Sequence, residues 1–135
     1  MRIALFAVIL VASCSRNTPP AAREAAKLEC DALMKPPVAS GAEKLCDEHV
    51  AAQDSEIAWT SYGLGEAAPN VVARYREAAA RCGVATQEAP FTVAKGDERL
   101  SVHDSTSTDY PSCAKKPSPA QKSVLVLSRR TLRGP

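Results

Sequence analysis

Aromatic side chains are scarce in this sequence, which has two phenylalanines, three tyrosines and one tryptophan among 135 residues. Many of the other apolar residues are alanine, so each buried residue removes little surface from water. A chain of this length has room for one small domain with a modest core, and such domains are commonly reinforced by covalent cross-links. We therefore expect a single domain that depends on disulfides.

Motifs of redox, haem and nucleotide chemistry are also missing. The sequence contains no Cys-x-x-Cys pair, no Gly-x-Ser-x-Gly elbow, and neither a phosphate-binding loop nor a complete dinucleotide fingerprint. Cys46 and His49 have a spacing that zinc sites use, but no second pair accompanies them. We therefore predict no metal site, no cofactor and no enzymatic activity.

Neither sign of charge dominates the chain, which has 17 basic and 15 acidic side chains. We interpret the basic C-terminal segment as solvated and as offsetting an acidic first half, although it could also contact phospholipid headgroups. It lacks the interleaved aromatic residues of nucleic-acid-binding stripes, so no nucleic-acid partner is predicted. The six bases of residues 111–135, which contain no acid, are Lys115, Lys116, Lys122, Arg129, Arg130 and Arg133.

The first fourteen residues, MRIALFAVILVASC, carry the most specific signal. Arg2 is followed by an apolar run and then by small residues, which is the order of an export signal, and the run is too short to span a bilayer. The last four residues, Val11 to Cys14, resemble the lipobox of bacterial lipoproteins. That resemblance covers residues 1–15 only. It implies that Cys14 becomes the N-terminus and carries acyl chains, palmitate among them, which anchor the protein stably in a membrane.

The resemblance also implies a compartment and a division of the chain. Ser15, rather than aspartate, follows Cys14, which resembles lipoproteins sorted to the outer membrane and facing the periplasm. We expect a signal peptide at 1–13, a lipidated tether at 14–22, one domain at 23–130 and a tail at 131–135. In the alternative interpretation the signal is an ordinary cleaved one and Cys14 is incidental.

Four further cysteines, Cys30, Cys46, Cys82 and Cys113, suit two disulfides in an exported domain. Three pairings are possible. We predict Cys30–Cys46 and Cys82–Cys113, because each of these bridges closes a local loop.

Two helices are predicted. The clearer one covers residues 69–82, where apolar residues recur at helical spacing, Pro69 suits the first turn and Gly83 suits the C-terminal cap. The other, an accessory N-terminal helix, covers about 20–34. Residues 40–53 fit either a helix or a strand, with a slight preference for an extended hairpin arm.

Strands are predicted at 56–64, 90–95, 98–103 and 123–128. Gly96-Asp97 forms the turn of a hairpin in which Phe91 faces Val102 and Val93 faces Leu100. The last strand is apolar on both faces and belongs inside the sheet. These elements predict an α+β fold of two layers, with one main helix on a mostly antiparallel sheet.

A hydrolase would use His103 with Asp104 and one of Ser101, Ser105 or Ser107. The serine-rich stretch is typical of a loop, and strand alternation places His103 on the outward, solvated face, so we predict no catalytic site here.

Trp59 and Tyr62 are candidate recognition residues, although a chain this poor in aromatics needs Trp59 in its core. The sequence thus predicts a non-catalytic interaction or assembly module of the envelope, whose partner it does not identify. The alternatives are an inhibitor of an envelope-attacking hydrolase and a hydrolase that uses His103.

Overall fold

Six strands lie side by side in one antiparallel sheet, in the order β1-β2-β6-β5-β4-β3. The computed structural model describes residues 28–37 and 41–133. A 3-10 turn at Cys30–Ala32 precedes one α-helix, α1 (Ala68–Cys82). The strands are β1 (Glu43–Ala51), β2 (Ser55–Leu64), β3 (Ala85–Glu88), β4 (Phe91–Lys95), β5 (Glu98–Asp104) and β6 (Ser123–Leu132).

Helix α1 covers one face of the sheet, which we call the helix face. Pro69 lies in its first turn, and Gly83 ends it in the left-handed conformation with φ of 67°. The helix buries Val71 and Tyr75 together with two alanines against the strands. The main core consists of Leu33, Leu64, Val71, Tyr75, Ala78, Ala79, Phe91, Val93, Leu100, Val102 and Leu125. The structure therefore confirms a small domain with one helix packed on a mostly antiparallel sheet.

Residues 105–122, which connect β5 to β6, cover part of the opposite face, which we call the loop face. A second cluster forms there from Leu45, Cys113, Val124 and Val126, with Trp59 packed against it. Strand β6 is therefore buried on both faces at its beginning, which confirms its predicted place inside the sheet. It also continues to Leu132, beyond the predicted end at residue 128 and the expected domain boundary at 130.

The predicted hairpin is confirmed in its register. Phe91 lies opposite Val102, Val93 opposite Leu100 and Lys95 opposite Glu98. The ambiguous segment 40–53 contains strand β1, in line with the extended alternative. Strand β3 was not predicted, because all four of its residues are exposed and carry no apolar alternation.

The two expected disulfides are present, but the predicted pairing is wrong. The bonds are Cys30–Cys82 and Cys46–Cys113, with sequence separations of 52 and 67 residues. Cys46 belongs to the loop-face cluster, whereas Cys30 lies at the end of the helix on the other side of the sheet. The sheet thus separates the two cysteines that a local pairing would join.

The predicted N-terminal helix at 20–34 lies mostly outside the described residues. Within its described part, only the 3-10 turn at Cys30–Ala32 is present, so the helix does not extend to residue 34. This turn places Leu33 in the main core with no exposed surface. The Cys30–Cys82 disulfide and the burial of Leu33 tie this segment to the end of α1.

Candidate functional site

Three large aliphatic side chains are exposed at one end of the sheet, and we call them the apolar end. They are Val50, Ile57 and Leu132, with exposed fractions of 56, 44 and 71%. Val50 lies directly opposite Ile57 in the β1–β2 ladder, so the two side chains share a face. This end lies beyond the part of the loop face that residues 105–122 cover. Contiguous exposed apolar residues of this kind mark interaction surfaces more often than isolated ones do.

Basic side chains border the apolar end. Arg130 lies opposite Ile57 across the β2–β6 ladder, and Arg99 lies opposite Ser128. The Arg99 Nη1 donates hydrogen bonds of 2.9 Å to the carbonyl oxygens of Gly96 and Glu98, which fix its side chain near the turn. A groove of about 470 Å³ opens here, and its lining is Ile57, Gly96, Asp97, Arg99, Ser128, Arg130 and Leu132.

The second polar feature is a chain of hydrogen bonds through His103. Its Nδ1 lies 2.8 Å from Asp109 Oδ1 and its Nε2 lies 2.7 Å from Ser101 Oγ. An ionised carboxylate only accepts, so Nδ1 carries the proton and donates to Asp109. A hydrogen bond from Ser107, together with His103, lowers the pKa of Asp109. His103 lies on the strand face opposite the main core, as predicted, but its side chain is only 3% exposed, so the prediction of a solvated position is wrong.

His103 is buried because the loop folds back over it. Tyr110 packs beside it with ring centroids 5.3 Å apart, and Cys113 fixes the following residues to β1. His103 therefore points away from the helix, as strand alternation predicts, but it faces the loop of residues 105–122 and not solvent.

Ser101, His103 and Asp109 are hydrogen-bonded in the order in which hydrolases arrange a nucleophile, a base and a carboxylate. Ser101, however, lies in the middle of β5, opposite Thr92 on one side and Val126 on the other. Its main chain is engaged in the sheet and is not available to stabilise an oxyanion, which acyl transfer requires. The arrangement is well suited to joining the loop to the sheet.

The carboxylate that is hydrogen-bonded to His103 is Asp109, whereas the sequence predicts Asp104. Asp104 instead accepts hydrogen bonds from the main chain and the hydroxyl of Thr106, at 2.9 and 2.6 Å, and these bonds lower its pKa. Ser105 takes no part through its side chain in the described contacts. Asp109, five residues after Asp104, could not be predicted, because it lies in a loop and no sequence periodicity indicates that the loop brings it to His103.

Trp59 and Tyr62, the predicted recognition residues, lie on opposite faces. Trp59 is half-buried on the loop face, against the second cluster, and Tyr62 is half-buried against the main core. They therefore form no common surface. Trp59 nevertheless shares its face with Ile57, two residues earlier in β2.

Cys14 lies outside the described residues. Cys46 is in a disulfide, and residues 28–37 and 41–133 contain no group of three potential metal ligands. In the same ranges, no helix has the length and apolar character needed to cross a membrane. Comparisons with protein-family models, with curated proteins and with solved structures found no match to this chain.

Proposed function

We propose that the protein is a lipoprotein of the bacterial cell envelope, anchored through Cys14 in the outer membrane and facing the periplasm, and that it acts as a non-catalytic interaction module. The observation that carries the interaction role is the apolar end, where Val50, Ile57 and Leu132 are exposed beside Arg99 and Arg130. A domain with so few large apolar residues leaves three of them unburied at one place. Binding would remove this surface from water.

The anchor is tested by mass spectrometry of the protein purified from envelope membranes. We expect a chain that starts at Cys14 with acyl chains attached and contains no free thiol. The Cys14→Ser variant is expected to keep its leader and to lack the lipid mass. A mature chain that starts at another residue, or an unmodified Cys14, would contradict the proposal.

The interaction surface is tested by placing a photoactivatable residue at Ile57 in intact envelopes. A matched control carries the same residue at Glu77, which is exposed on the outer side of α1. We expect a crosslinked product from position 57 and none from position 77. The mass of that product separates a lipid or a resident protein from a foreign hydrolase, which the inhibitor alternative requires. Equal labelling at both positions would contradict a specific surface.

A hydrolase is the second candidate, because Ser101, His103 and Asp109 are joined by hydrogen bonds in the order that acyl transfer uses. Its test is hydrolysis of ester and amide substrates by the wild type and by Ser101→Ala. A wild-type rate that the substitution abolishes would establish catalysis. An identical rate in both proteins would exclude Ser101 as the nucleophile.

A further inference from the structure

We propose that the partner of the apolar end is the membrane itself. In this arrangement Val50, Ile57 and Leu132 enter the boundary between headgroups and acyl chains, and Arg99 and Arg130 bind the phosphates of anionic phospholipids. The inference rests on the proposed function, since it identifies what the interaction surface binds. It assigns an orientation to the domain, with this end of the sheet against the bilayer.

The first argument is the composition of the surface. Aliphatic side chains flanked by arginines are the combination that interfacial segments use, because the apolar groups enter the boundary and the cations remain at headgroup level. Ile57 and Leu132 line the same groove as Arg99 and Arg130. The hydroxyl of Ser128 also lines this groove and can donate to a phosphate. One site thus offers both apolar and phosphate contacts.

The second argument is the state of the two arginines. Two of the neighbouring acids are engaged by other arginines, since Glu98 pairs with Arg129, and Glu56 lies 3.8 Å from Arg133. Within the described residues, neither Arg99 nor Arg130 forms an ion pair. Asp97 is the carboxylate that lines the groove with them, and the Asp97 carbonyl oxygen accepts a hydrogen bond from the main chain of Arg130. The guanidinium of Arg130 therefore remains available to an anion, and that of Arg99 remains available through its donors other than Nη1.

The third argument is where the N-terminal segment leaves the domain. Arg81 donates a hydrogen bond to the carbonyl oxygen of Leu28, and Cys30 is bonded to Cys82 at the end of α1. The helix ends where β3 begins, and Ala85 at the start of β3 lies opposite Ala94, beside the β4–β5 turn. The turn belongs to the same end of the sheet as Ile57 and Leu132, because Gly96 and Asp97 line their groove.

The length of the segment before Leu28 limits how far the proposed anchor can lie from the domain. The 14 residues from Cys14 to Leu28 span at most about 50 Å when fully extended. A lipid on Cys14 would therefore keep the domain close enough for the apolar end to reach the bilayer. Such a tether turns a weak surface contact into an intramolecular one with a high effective concentration.

The experiment is flotation of the unlipidated chain of residues 15–135, with its disulfides intact, on vesicles. This chain contains every described element and lacks both the leader and the lipidation site. We expect it to bind vesicles that contain phosphatidylglycerol and to bind phosphatidylcholine vesicles more weakly. Arg130→Ala is expected to reduce partitioning by about fivefold, the effect of one cation near an anionic surface. Ile57→Ser combined with Leu132→Ser is expected to reduce it by about tenfold.

Lys122→Ala is the matched control, because it removes one exposed positive charge at the opposite end of the sheet, where β6 begins. It should leave partitioning unchanged. Equal losses for Lys122→Ala and Arg130→Ala would overturn the inference, as would failure of the wild type to bind vesicles. Binding of inorganic phosphate that depends on Arg130, without vesicle binding, would identify a free-anion site and also overturn it.

The two proposals fail separately. A lipidated Cys14 in a protein whose residues 15–135 bind no vesicles would retain the lipoprotein and reject the membrane-contact surface. Vesicle binding that depends on Arg130, in a protein whose Cys14 is unmodified, would reject the anchor and retain the surface. Photocrosslinking from position 57 to a protein alone, and to no lipid, would reject the membrane-contact surface as well.

Discussion

At the scale of single residues, His103 has the most consequential position. Its ring is almost fully buried and spans the distance between Ser101 on β5 and Asp109 in the loop. A buried imidazole that satisfies both of its nitrogens contributes through hydrogen bonds and through packing against Tyr110. We therefore assign it a structural role in holding residues 105–122 against the sheet.

His103→Ala is expected to lower the free energy of unfolding by about 2–4 kcal/mol, because it removes two hydrogen bonds and leaves a cavity. Urea denaturation followed by the fluorescence of Trp59 measures the change. His49→Ala, at an exposed position of β1, is the control and should have little effect. A loss below about 0.5 kcal/mol for His103→Ala would contradict this role.

Glycine is required at position 63 because the side chain of Gln121 packs closely against its Cα. A Cβ atom at this position would lie 2.5 Å from the side-chain amide of Gln121. That amide is held in place, because its oxygen accepts from the main chain of Ser118 at 2.9 Å and its nitrogen donates to Glu43 at 3.0 Å.

Gly63→Ala is therefore expected to cost about 1–3 kcal/mol of stability, as overpacking does. Gly65→Ala is a close control, because its added Cβ would meet only the carbonyl oxygen of Ala120 at 3.9 Å. Thermal unfolding of the two variants should separate them clearly. Similar melting temperatures would show that Gln121 moves aside without cost.

Asp109 makes stability depend on pH. Its pKa is lowered in the folded protein by the hydrogen bond from Ser107 and by His103, so folding favours the ionised carboxylate. This contribution is present above the unfolded pKa of about 3.9 and is lost as pH falls through the lower, folded value.

The stability difference between the wild type and Asp109→Asn is therefore expected to shrink below about pH 4. Urea midpoints measured between neutral and acidic pH report it, with the exposed Glu77→Gln as control. The side chain of Asp109 is half-exposed, so solvent screening keeps the effect small. A difference that stays constant down to the acid limit would contradict the assignment.

At the scale of elements, the two disulfides hold different parts of the domain. Cys46–Cys113 joins β1 to the loop that covers the second cluster, whereas Cys30–Cys82 joins the 3-10 turn to the end of α1. Each closes more than 50 residues, for which loop-closure entropy gives about 4 kcal/mol.

Replacing Cys46 and Cys113 with alanine is expected to speed amide hydrogen exchange in residues 105–122 while α1 stays protected. Replacing Cys30 and Cys82 is expected to speed exchange in residues 28–37 and to leave the loop protected. Each double variant serves as the control for the other. Uniform acceleration in both would show that each bond stabilises the whole domain and not its own segment.

The elements that could be predicted from sequence are those whose signals are local. Helix α1 follows from apolar spacing between Pro69 and Gly83, and the β4–β5 hairpin follows from Gly96-Asp97 between alternating residues. The cysteine pairing could not be predicted, because it depends on which face each cysteine occupies after the sheet has formed. Asp109 was missed for the same reason, since only the folded loop brings it to His103.

The exposed apolar end was missed although its residues are visible in the sequence. The sequence predicts a strand around Ile57, fits either a helix or a strand around Val50, and assigns Leu132 to a tail. Their significance appears only from the register, which places Val50 opposite Ile57 and extends β6 to Leu132. Exposure depends on what covers a residue, and periodicity does not supply that information.

At the scale of the whole molecule, the sheet divides the domain into two unequal halves. The helix face holds eleven core residues, whereas the loop face holds a cluster of four and is completed by a disulfide. Each side of the sheet carries one disulfide, and such covalent reinforcement is what a chain with few aromatics requires. The apolar end is covered neither by helix α1 nor by residues 105–122, and in our proposal the membrane would cover it.

Strand β6 is the last strand in the sequence, yet it lies third in the sheet, between β2 and β5. Until residues 123–132 are available, β1 and β2 on one side have no strand that connects them to β5, β4 and β3 on the other. A chain that becomes available from its N-terminus can therefore pair its strands only within these two separate groups until β6 follows. The sheet cannot be completed before this last strand is available, so in the export that we propose the domain would reach its final fold only at the end of the passage.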